Sequence, residues 1–108
     1  MSFHVTAEGV RLEEHHMLFG RLQNMQGDLI DADIDLNAVL GNNEGRFEWG
    51  GSGFLQTAEP GSVQFNLEGD EGVPVLRARL DNGQGEYFDA DVNLSERIGN
   101  DDGKFTFE

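Results

Sequence analysis

Residues 27–49 read GDLIDADIDLNAVLGNNEGRFEW, and residues 85–107 read GEYFDADVNLSERIGNDDGKFTF. The two segments align without a gap at an offset of 85 − 27 = 58 residues, and nine of their 23 positions are identical. Because self-similarity at a fixed spacing marks a duplication, the chain is interpreted as two tandem repeats, residues 1–53 and 54–108. Two repeats are too few for a solenoid, so the halves are expected to pack on each other as a pseudo-two-fold pair.

Each repeat has the residue alternation of β-strands. Residues 31–36 alternate acidic and apolar side chains, and residues 89–94 repeat the pattern, which predicts a half-buried strand with its carboxylates toward water. Residues 46–49 and 104–107 also alternate, and a glycine turn precedes each of them. A first strand is expected to carry Phe3, Val5 and Ala7 on one face.

A short polar segment follows the alternating strand of each repeat. It is too short for a long helix, so a single 3-10 or α-helical turn is expected, capped by Asn37 or Ser95 and ended by Gly41 or Gly99. Upstream, residues 3–8 match residues 54–59 at an offset of 54 − 3 = 51. The second repeat therefore carries 58 − 51 = 7 extra residues, expected within residues 69–74.

Composition excludes several classes of protein. The chain has no cysteine, so disulfides and zinc-thiolate or iron–sulfur sites are ruled out. Its net charge of −14 argues against nucleic acid and anionic membranes as partners. The sequence shows no long apolar run and no pattern of a secretory signal peptide. A cytoplasmic location is the default expectation, with non-classical secretion as the alternative.

The repeated motifs resemble the cyanovirin-N homologue (CVNH) family. The first repeat carries Ile34-Asp35-Leu36-Asn37-x-Val39-Leu40-x-Asn42-x-Glu44-Gly45-x-Phe47-x-Trp49, and the second carries Val92-Asn93-Leu94-x-x-x-Ile98-x-Asn100-x-Asp102-Gly103-x-Phe105-x-Phe107. The resemblance covers nearly the whole chain. In having no cysteine, the chain resembles the fungal members of the family. It implies an all-β fold of two pseudo-symmetric halves that form one domain over residues 1–108. Each half would have a three-stranded antiparallel sheet and a β-hairpin, with strands exchanged between the halves.

The resemblance also implies that apolar pairs replace two disulfides. The cysteine positions of the founding member fall on Ala7 and Leu22 in the first repeat, and on Ala58 and Leu80 in the second. A small residue facing a large one is expected to fill the space of each crosslink. A disulfide typically contributes about 2–4 kcal/mol, so packing is expected to recover only part of that.

Two carbohydrate sites, without metal or cofactor, are implied by the resemblance. The first, favoured site comprises Ser2, Val5, Thr6, Gln23, Met25, Asn100, Asp101 and Asp102. Among these, Gln23 replaces a glutamate of the family and Met25 replaces a threonine. The second, more eroded site comprises Gly41, Asn42, Glu44, Ser52, Gly53, Gln56, Thr57, Asp81, Asn82 and Gly83.

The expected function is that of a non-catalytic lectin for Manα(1→2)Man termini of high-mannose oligosaccharides or glycoproteins, binding weakly and mainly at one site. The alternative is a protein-interaction or scaffold module that keeps the fold without useful sugar affinity. Asn42 and Asn100 also have a purely local interpretation, because Asx residues favour turns. The glycine-rich hinge of residues 50–53 lacks a proline, so a monomer is expected.

Other functions are disfavoured by the residues themselves. Asp31-x-Asp33-x-Asp35 begins like an EF-hand, but Leu36 and Asn42 stand where that loop needs glycine and glutamate. The pair His15-His16 is interpreted as part of a polar loop rather than as a metal site. Carboxylates are too abundant to identify a glycosidase pair, so no catalytic residue is assigned.

Overall fold

The computed structural model describes Phe3, residues 7–70 and residues 72–107. Within these residues the chain forms ten strands: β1 (Ala7–Glu13), β2 (Met17–Gln23), β3 (Leu29–Asp35), β4 (Leu40–Asn43), β5 (Arg46–Trp49), β6 (Gln64–Glu68), β7 (Val73–Asp81), β8 (Tyr87–Asn93), β9 (Ile98–Asp101) and β10 (Lys104–Phe107). Short 3-10 turns lie at Leu36–Ala38, Phe54–Thr57 and Leu94–Glu96. The predicted all-β fold is confirmed. Among the described residues, no helix is long and apolar enough to span a membrane.

The strands form two antiparallel sheets and two hairpins. Strand β2 lies between β1 and β3, and β7 lies between β6 and β8. Strand β4 pairs with β5, and β9 pairs with β10. The β4–β5 hairpin packs through β5 on β8, while the β9–β10 hairpin packs through β10 on β3. Each sheet thus contacts a hairpin from the other part of the chain. The repeat boundary at residues 53 and 54 stays a prediction.

The core residues of the two repeats are related by the same offset of 58 residues as the sequence motifs. Fully buried side chains include Leu18, Leu22, Leu36 and Leu40 and, 58 residues later, Leu76, Leu80, Leu94 and Ile98. Burial of one such side chain contributes about 1.5–3 kcal/mol, so these positions account for much of the driving force for folding. Trp49 and Phe107, also related by the offset, stack with ring centroids 5.8 Å apart. The pseudo-two-fold relation therefore extends from the sequence into the packing.

The apolar pairs that stand at the family's cysteine positions face each other. Ala7 is the cross-strand partner of Leu22, and Ala58 forms an isolated bridge with Leu80. Both leucines are fully buried, and Ala7 packs against the core. A small residue therefore faces a buried leucine at both positions, as expected, and that this packing replaces a crosslink stays a prediction.

The first strand and the caps differ from prediction. Phe3 adopts a 3-10 conformation, so the expectation that Phe3 lies in a strand is wrong, and β1 is described from Ala7. Phe3 is instead fully buried and packs edge-on against Phe105, with ring centroids 5.2 Å apart. Val5 lies outside the described residues.

The 3-10 turns are capped two residues earlier than predicted. Asp35 accepts a hydrogen bond from the Asn37 backbone N–H, and Asn93 accepts one from the Ser95 N–H. These residues still have extended backbones, so their side chains reach forward to the free N–H groups as Asx caps do. The turns end before the predicted glycines, because Gly41 and Gly99 are strand residues of β4 and β9.

The extra residues of the second repeat lie in two places. Arg11 pairs with Phe19, whereas Gln64 pairs with Arg77, the residue 58 positions after Phe19. From Ala7 to Arg11 is four positions, but from Ala58 to Gln64 is six, so two extra residues precede β6. The other five lengthen the β6–β7 hairpin, which stays paired out to Glu68 and Val73. Placement of all seven within residues 69–74 is therefore wrong.

Candidate functional site

The tips of the β4–β5 and β9–β10 hairpins are built alike. Each hairpin has a two-residue loop, Glu44–Gly45 or Asp102–Gly103, and all four residues have positive φ, from 52° to 92°. That is the backbone of a type I′ turn, whose twist matches the flanking strands. The Asn42 Oδ1 accepts a hydrogen bond from the Gly45 N–H at 2.8 Å, and the Asn100 Oδ1 accepts one from the Gly103 N–H at 2.9 Å. Both asparagines thus hold their own turns.

Asn42 also joins distant parts of the chain. Its Nδ2 donates to the Thr57 Oγ1 at 2.8 Å and to the Asp81 carbonyl at 2.7 Å. Asn42, Glu44, Gly45, Thr57 and Asp81 are called the Asn42 cluster below. It unites a hairpin tip, a 3-10 turn and the end of β7, so the structure brings together four residues of the predicted second site.

Asn100 makes the equivalent connection. Its Nδ2 donates to the Gln23 carbonyl at 2.9 Å, and the Asp102 Oδ1 accepts from the Met25 N–H at 2.9 Å. Gln23, Met25, Asn100 and Asp102 are called the Asn100 cluster below. Four residues of the predicted first site therefore meet at the β9–β10 tip.

Asp101, the remaining described residue of the predicted first site, lies next to the Asn100 cluster in sequence but outside the contacts that define it. Asp101 ends β9 as the cross-strand partner of Lys104 and is exposed. Ser2, Val5 and Thr6 lie outside the described residues.

Two glycines of the predicted second site, Gly41 and Gly53, have backbone roles. A Cβ on Gly41 would lie 3.0 Å from the Ser52 nitrogen, so only glycine fits this close approach. Gly53 has a φ of 80°, donates its N–H to the Asn37 carbonyl, and lies beneath the Gln56 side chain. These positions shape the hinge beside the Asn42 cluster.

Two asparagines organise the loops that the hairpin tips contact. The Asn82 Oδ1 accepts from the N–H groups of Gln84 and Glu86, and the Asn24 Oδ1 accepts from those of Gln26 and Asp28. Asn24 is not among the predicted site residues. The available signal was its offset of 82 − 24 = 58 from Asn82.

The carboxylates of the two clusters are used differently. In the Asn100 cluster the Asp102 carboxylate is bound to the Met25 N–H. Gly83 is the residue 58 positions after Met25, in the loop that follows β7. Its N–H donates instead to the Asp81 Oδ1 at 2.8 Å. The Glu44 carboxylate makes no hydrogen bond or ion pair with any described residue. The Asn42 cluster thus has an acceptor group available to a ligand, whereas Asp102 is partly committed to holding the loop.

Exposed apolar side chains flank both tips. Met25 is 88% exposed beside Asp102. A Cβ on Gly103 would lie 3.1 Å from Ile30, and one on Gly45 would lie 3.0 Å from the Phe88 ring. Ile30 and Phe88, related by the 58-residue offset, are 40% and 49% exposed. Ile30 and Phe88 are not among the predicted site residues, because only the folded chain places them against the glycines.

A groove lies elsewhere, on the β6–β7–β8 sheet. It encloses about 430 Å³ beside Arg77 and Arg79. Arg77 is bonded to Glu68 and Asp91, and Arg79 to Glu59. Hydrogen bonding to Arg77 lowers the pKa of Glu68 below its ordinary value of 4.5. Because these groups satisfy one another, we interpret the groove as a ladder of ion pairs rather than as a binding site.

The histidine pair lies in the loop between β1 and β2, as predicted. His16 Nδ1 lies 2.9 Å from the Asp35 Oδ1, so its partner is a single carboxylate that also caps a 3-10 turn. Across the described residues no group of three or more His, Asp or Glu side chains is arranged to hold a metal ion.

Two sheets, each contacted by a hairpin whose tip carries an asparagine-centred polar cluster, define a duplicated all-β binding domain. A family model described as "CVNH domain" matches residues 3–106. A Cyanovirin-N homolog of Neurospora crassa is 46% identical, over 97% of this chain and 96% of that protein. The chain belongs to the CVNH family, whose known members are carbohydrate-binding lectins.

Solved structures agree with this assignment. The NMR structure of a CVNH protein of Gibberella zeae has a TM-score of 0.91 and 41% identity, covering 97% of this chain and 95% of that one. A designed Cyanovirin-N homolog lectin has a TM-score of 0.92 and 37% identity over the full length of both chains. The all-β fold predicted from the repeats is thus found in related proteins.

Proposed function

We propose that the protein is a non-catalytic lectin for Manα(1→2)Man termini of high-mannose glycans, binding weakly and mainly at the Asn100 cluster. The observation that carries the proposal is the joining of Asn100 and Asp102 to Gln23 and Met25 across two distant parts of the chain. Membership of a lectin family supports the sugar class.

The chemistry of the Asn100 cluster suits a neutral polyol. Sugar hydroxyls donate and accept hydrogen bonds, so their recognition needs both kinds of group in fixed positions. The second oxygen of the Asp102 carboxylate supplies an acceptor, while the exposed Met25 side chain supplies an apolar contact. The net charge of −14 disfavours sulfated or sialylated glycans by repulsion.

The proposal is tested by ¹H–¹⁵N NMR titration with α(1→2)-mannobiose, with α(1→6)-mannobiose as the linkage control. We expect the amides of Met25 and Gly103 to shift at millimolar sugar, with little change at Gly45. Equal shifts with both disaccharides would contradict the linkage preference. No shift at any residue would contradict the mannose specificity and, unless another sugar binds, favour the protein-interaction module. Unchanged anomeric signals of the sugar over the same experiment would agree with a non-catalytic role.

We also propose that the protein is a monomer. Two backbone hydrogen bonds hold the hinge against the first repeat, from the Gly50 N–H to the Val39 carbonyl at 2.9 Å and from the Gly53 N–H to the Asn37 carbonyl at 2.8 Å. Both glycines have positive φ, which glycine adopts without steric strain. The hinge therefore stores no strain that formation of a domain-swapped dimer would release. Size-exclusion chromatography with light scattering should give 11.9 kDa. A dimer that persists for days at millimolar protein would contradict the proposal.

A further inference from the structure

The two hairpin tips rest on different kinds of side chain. Gly103 lies on the aliphatic Ile30, whereas Gly45 lies on the aromatic ring of Phe88. Phe88 is 49% exposed, so about half of this residue remains open to solvent beside the tip. The duplication has therefore placed an aromatic surface at the Asn42 cluster and none at the matching position of the Asn100 cluster.

We propose that Phe88 is a stacking platform for a β-linked, gluco-configured pyranose, so that the Asn42 cluster prefers a different sugar from the Asn100 cluster. The inference rests on the proposed carbohydrate binding and extends it to a second ligand class. Such a sugar would come from a β-glucan or from a chitin fragment, which share this ring geometry.

The preference follows from the electronic character of an aromatic ring. Its face is negative, and it attracts the weakly positive hydrogens of C–H groups. In a β-linked gluco-configured pyranose all ring substituents are equatorial, so both faces present axial hydrogens. An α-linked mannose has an axial O1 on one face and an axial O2 on the other. A flat aromatic ring such as that of Phe88 therefore stacks less well on α-mannose, because an axial oxygen projects from each face of that sugar. The narrower aliphatic side chain of Ile30 discriminates less between the two kinds of sugar.

Polar groups beside the platform complete the recognition. The Glu44 carboxylate, next to Gly45 at the same tip, has no polar partner among the described residues and is exposed. An ionised carboxylate accepts strong hydrogen bonds from hydroxyls, as equatorial hydroxyls at the rim of a stacked ring would offer. The combination of one aromatic face and one free acceptor fits a neutral sugar ring rather than an anionic one.

The repeats supply matched variants for the test. Phe88→Ile installs the residue that the first repeat carries at the same position, Ile30, against an equivalent glycine. Tyr87→Leu installs Leu29 in the same way and removes an aromatic residue from the opposite face of β8, because successive strand residues point to opposite faces. Both changes have a precedent in the same fold, and an unchanged ¹H–¹⁵N spectrum away from β8 would verify folding.

Cellotetraose and chitotetraose are titrated into the wild type and both variants, with α(1→2)-mannobiose in parallel. We expect shifts at Gly45, saturation transfer from the Phe88 ring to the sugar, and affinity about three- to tenfold weaker in Phe88→Ile, the range for an aromatic contact. Tyr87→Leu should keep the wild-type affinity. The relative affinities of the two tetrasaccharides would identify the source of the ligand.

The two proposals fail in different ways. Mannobiose shifts at Gly103 without any tetrasaccharide shift at Gly45 would overturn the inference and leave the mannose lectin standing. Equal tetrasaccharide affinity in the wild type and Phe88→Ile would also overturn it. Tetrasaccharide binding without mannobiose binding would support the platform and contradict the proposed mannose specificity.

Discussion

Replacement of Asn42 by alanine tests whether this residue is primarily structural. Its side chain makes three hydrogen bonds, to the Gly45 N–H at 2.8 Å, the Thr57 Oγ1 at 2.8 Å and the Asp81 carbonyl at 2.7 Å. A hydrogen bond contributes about 1 kcal/mol net, which sets an upper value of about 3 kcal/mol. Because the cluster is only part-buried, water replaces some of these bonds, and we expect a loss of about 2 kcal/mol. Small domains have about 5–15 kcal/mol of stability, so the loss is readily measured.

Two companion variants divide the effect among the bonds. Asn42→Asp keeps the acceptor for the Gly45 N–H but removes both donors and places a carboxylate against the Asp81 carbonyl. Thr57→Val removes only one of the Asn42 bonds, together with the Thr57 bond to the Phe54 carbonyl at 3.2 Å. We expect Asn42→Ala and Asn42→Asp to destabilise the protein by similar amounts, and Thr57→Val by about half as much.

Urea unfolding followed by the fluorescence of Trp49 measures these differences, provided that the m-value is unchanged. A loss of about 2 kcal/mol lowers the melting temperature by about 10 °C in a domain of this size. A loss below about 0.5 kcal/mol for Asn42→Ala would refute the structural role, since that is the level of an ordinary surface substitution. The asparagine would then be free to act mainly on a ligand.

Two further predictions concern charged side chains. Asp102→Asn should lower the free energy of unfolding by about 1 kcal/mol and shift the Met25 amide resonance, because it weakens a charge-assisted hydrogen bond. Glu44→Gln, the counterpart in the other repeat, should change neither the stability nor the Met25 amide resonance. The lowered pKa of Glu68 means that its ion pair with Arg77 stabilises the fold above the ordinary value of 4.5 and is lost as the pH falls through the lowered folded-state pKa. Urea unfolding should therefore show a deficit for Arg77→Gln at pH 7 that shrinks at pH 3, and a deficit independent of pH would contradict the pairing.

The fold was largely predictable because the same information occurs twice in the sequence. Alternation in residues 31–36 and 89–94 predicted β3 and β8, and the glycine turns predicted both hairpins. The caps were placed wrongly because an extended residue such as Asp35 can reach forward to a free N–H, and this depends on backbone angles rather than residue type. The meeting of Met25 and Asp102 was predicted only through the family resemblance, since the two residues are 77 positions apart and no pattern in the sequence joins them.

A residue that holds its own turn is a poor indicator of ligand binding. Asn42 and Asn100 occupy equivalent positions in the two repeats. Each closes a type I′ turn and joins it to a distant loop, so its structural role alone would be enough to retain it. Phe88 and Ile30 fill the same place with different chemistry, and Glu44 has a free carboxylate where Asp102 is bound. Folding tolerates both versions of each pair. We therefore expect the residues that differ between the two tips to determine which ligand each tip binds. Variants at these positions can separate effects on binding from effects on stability.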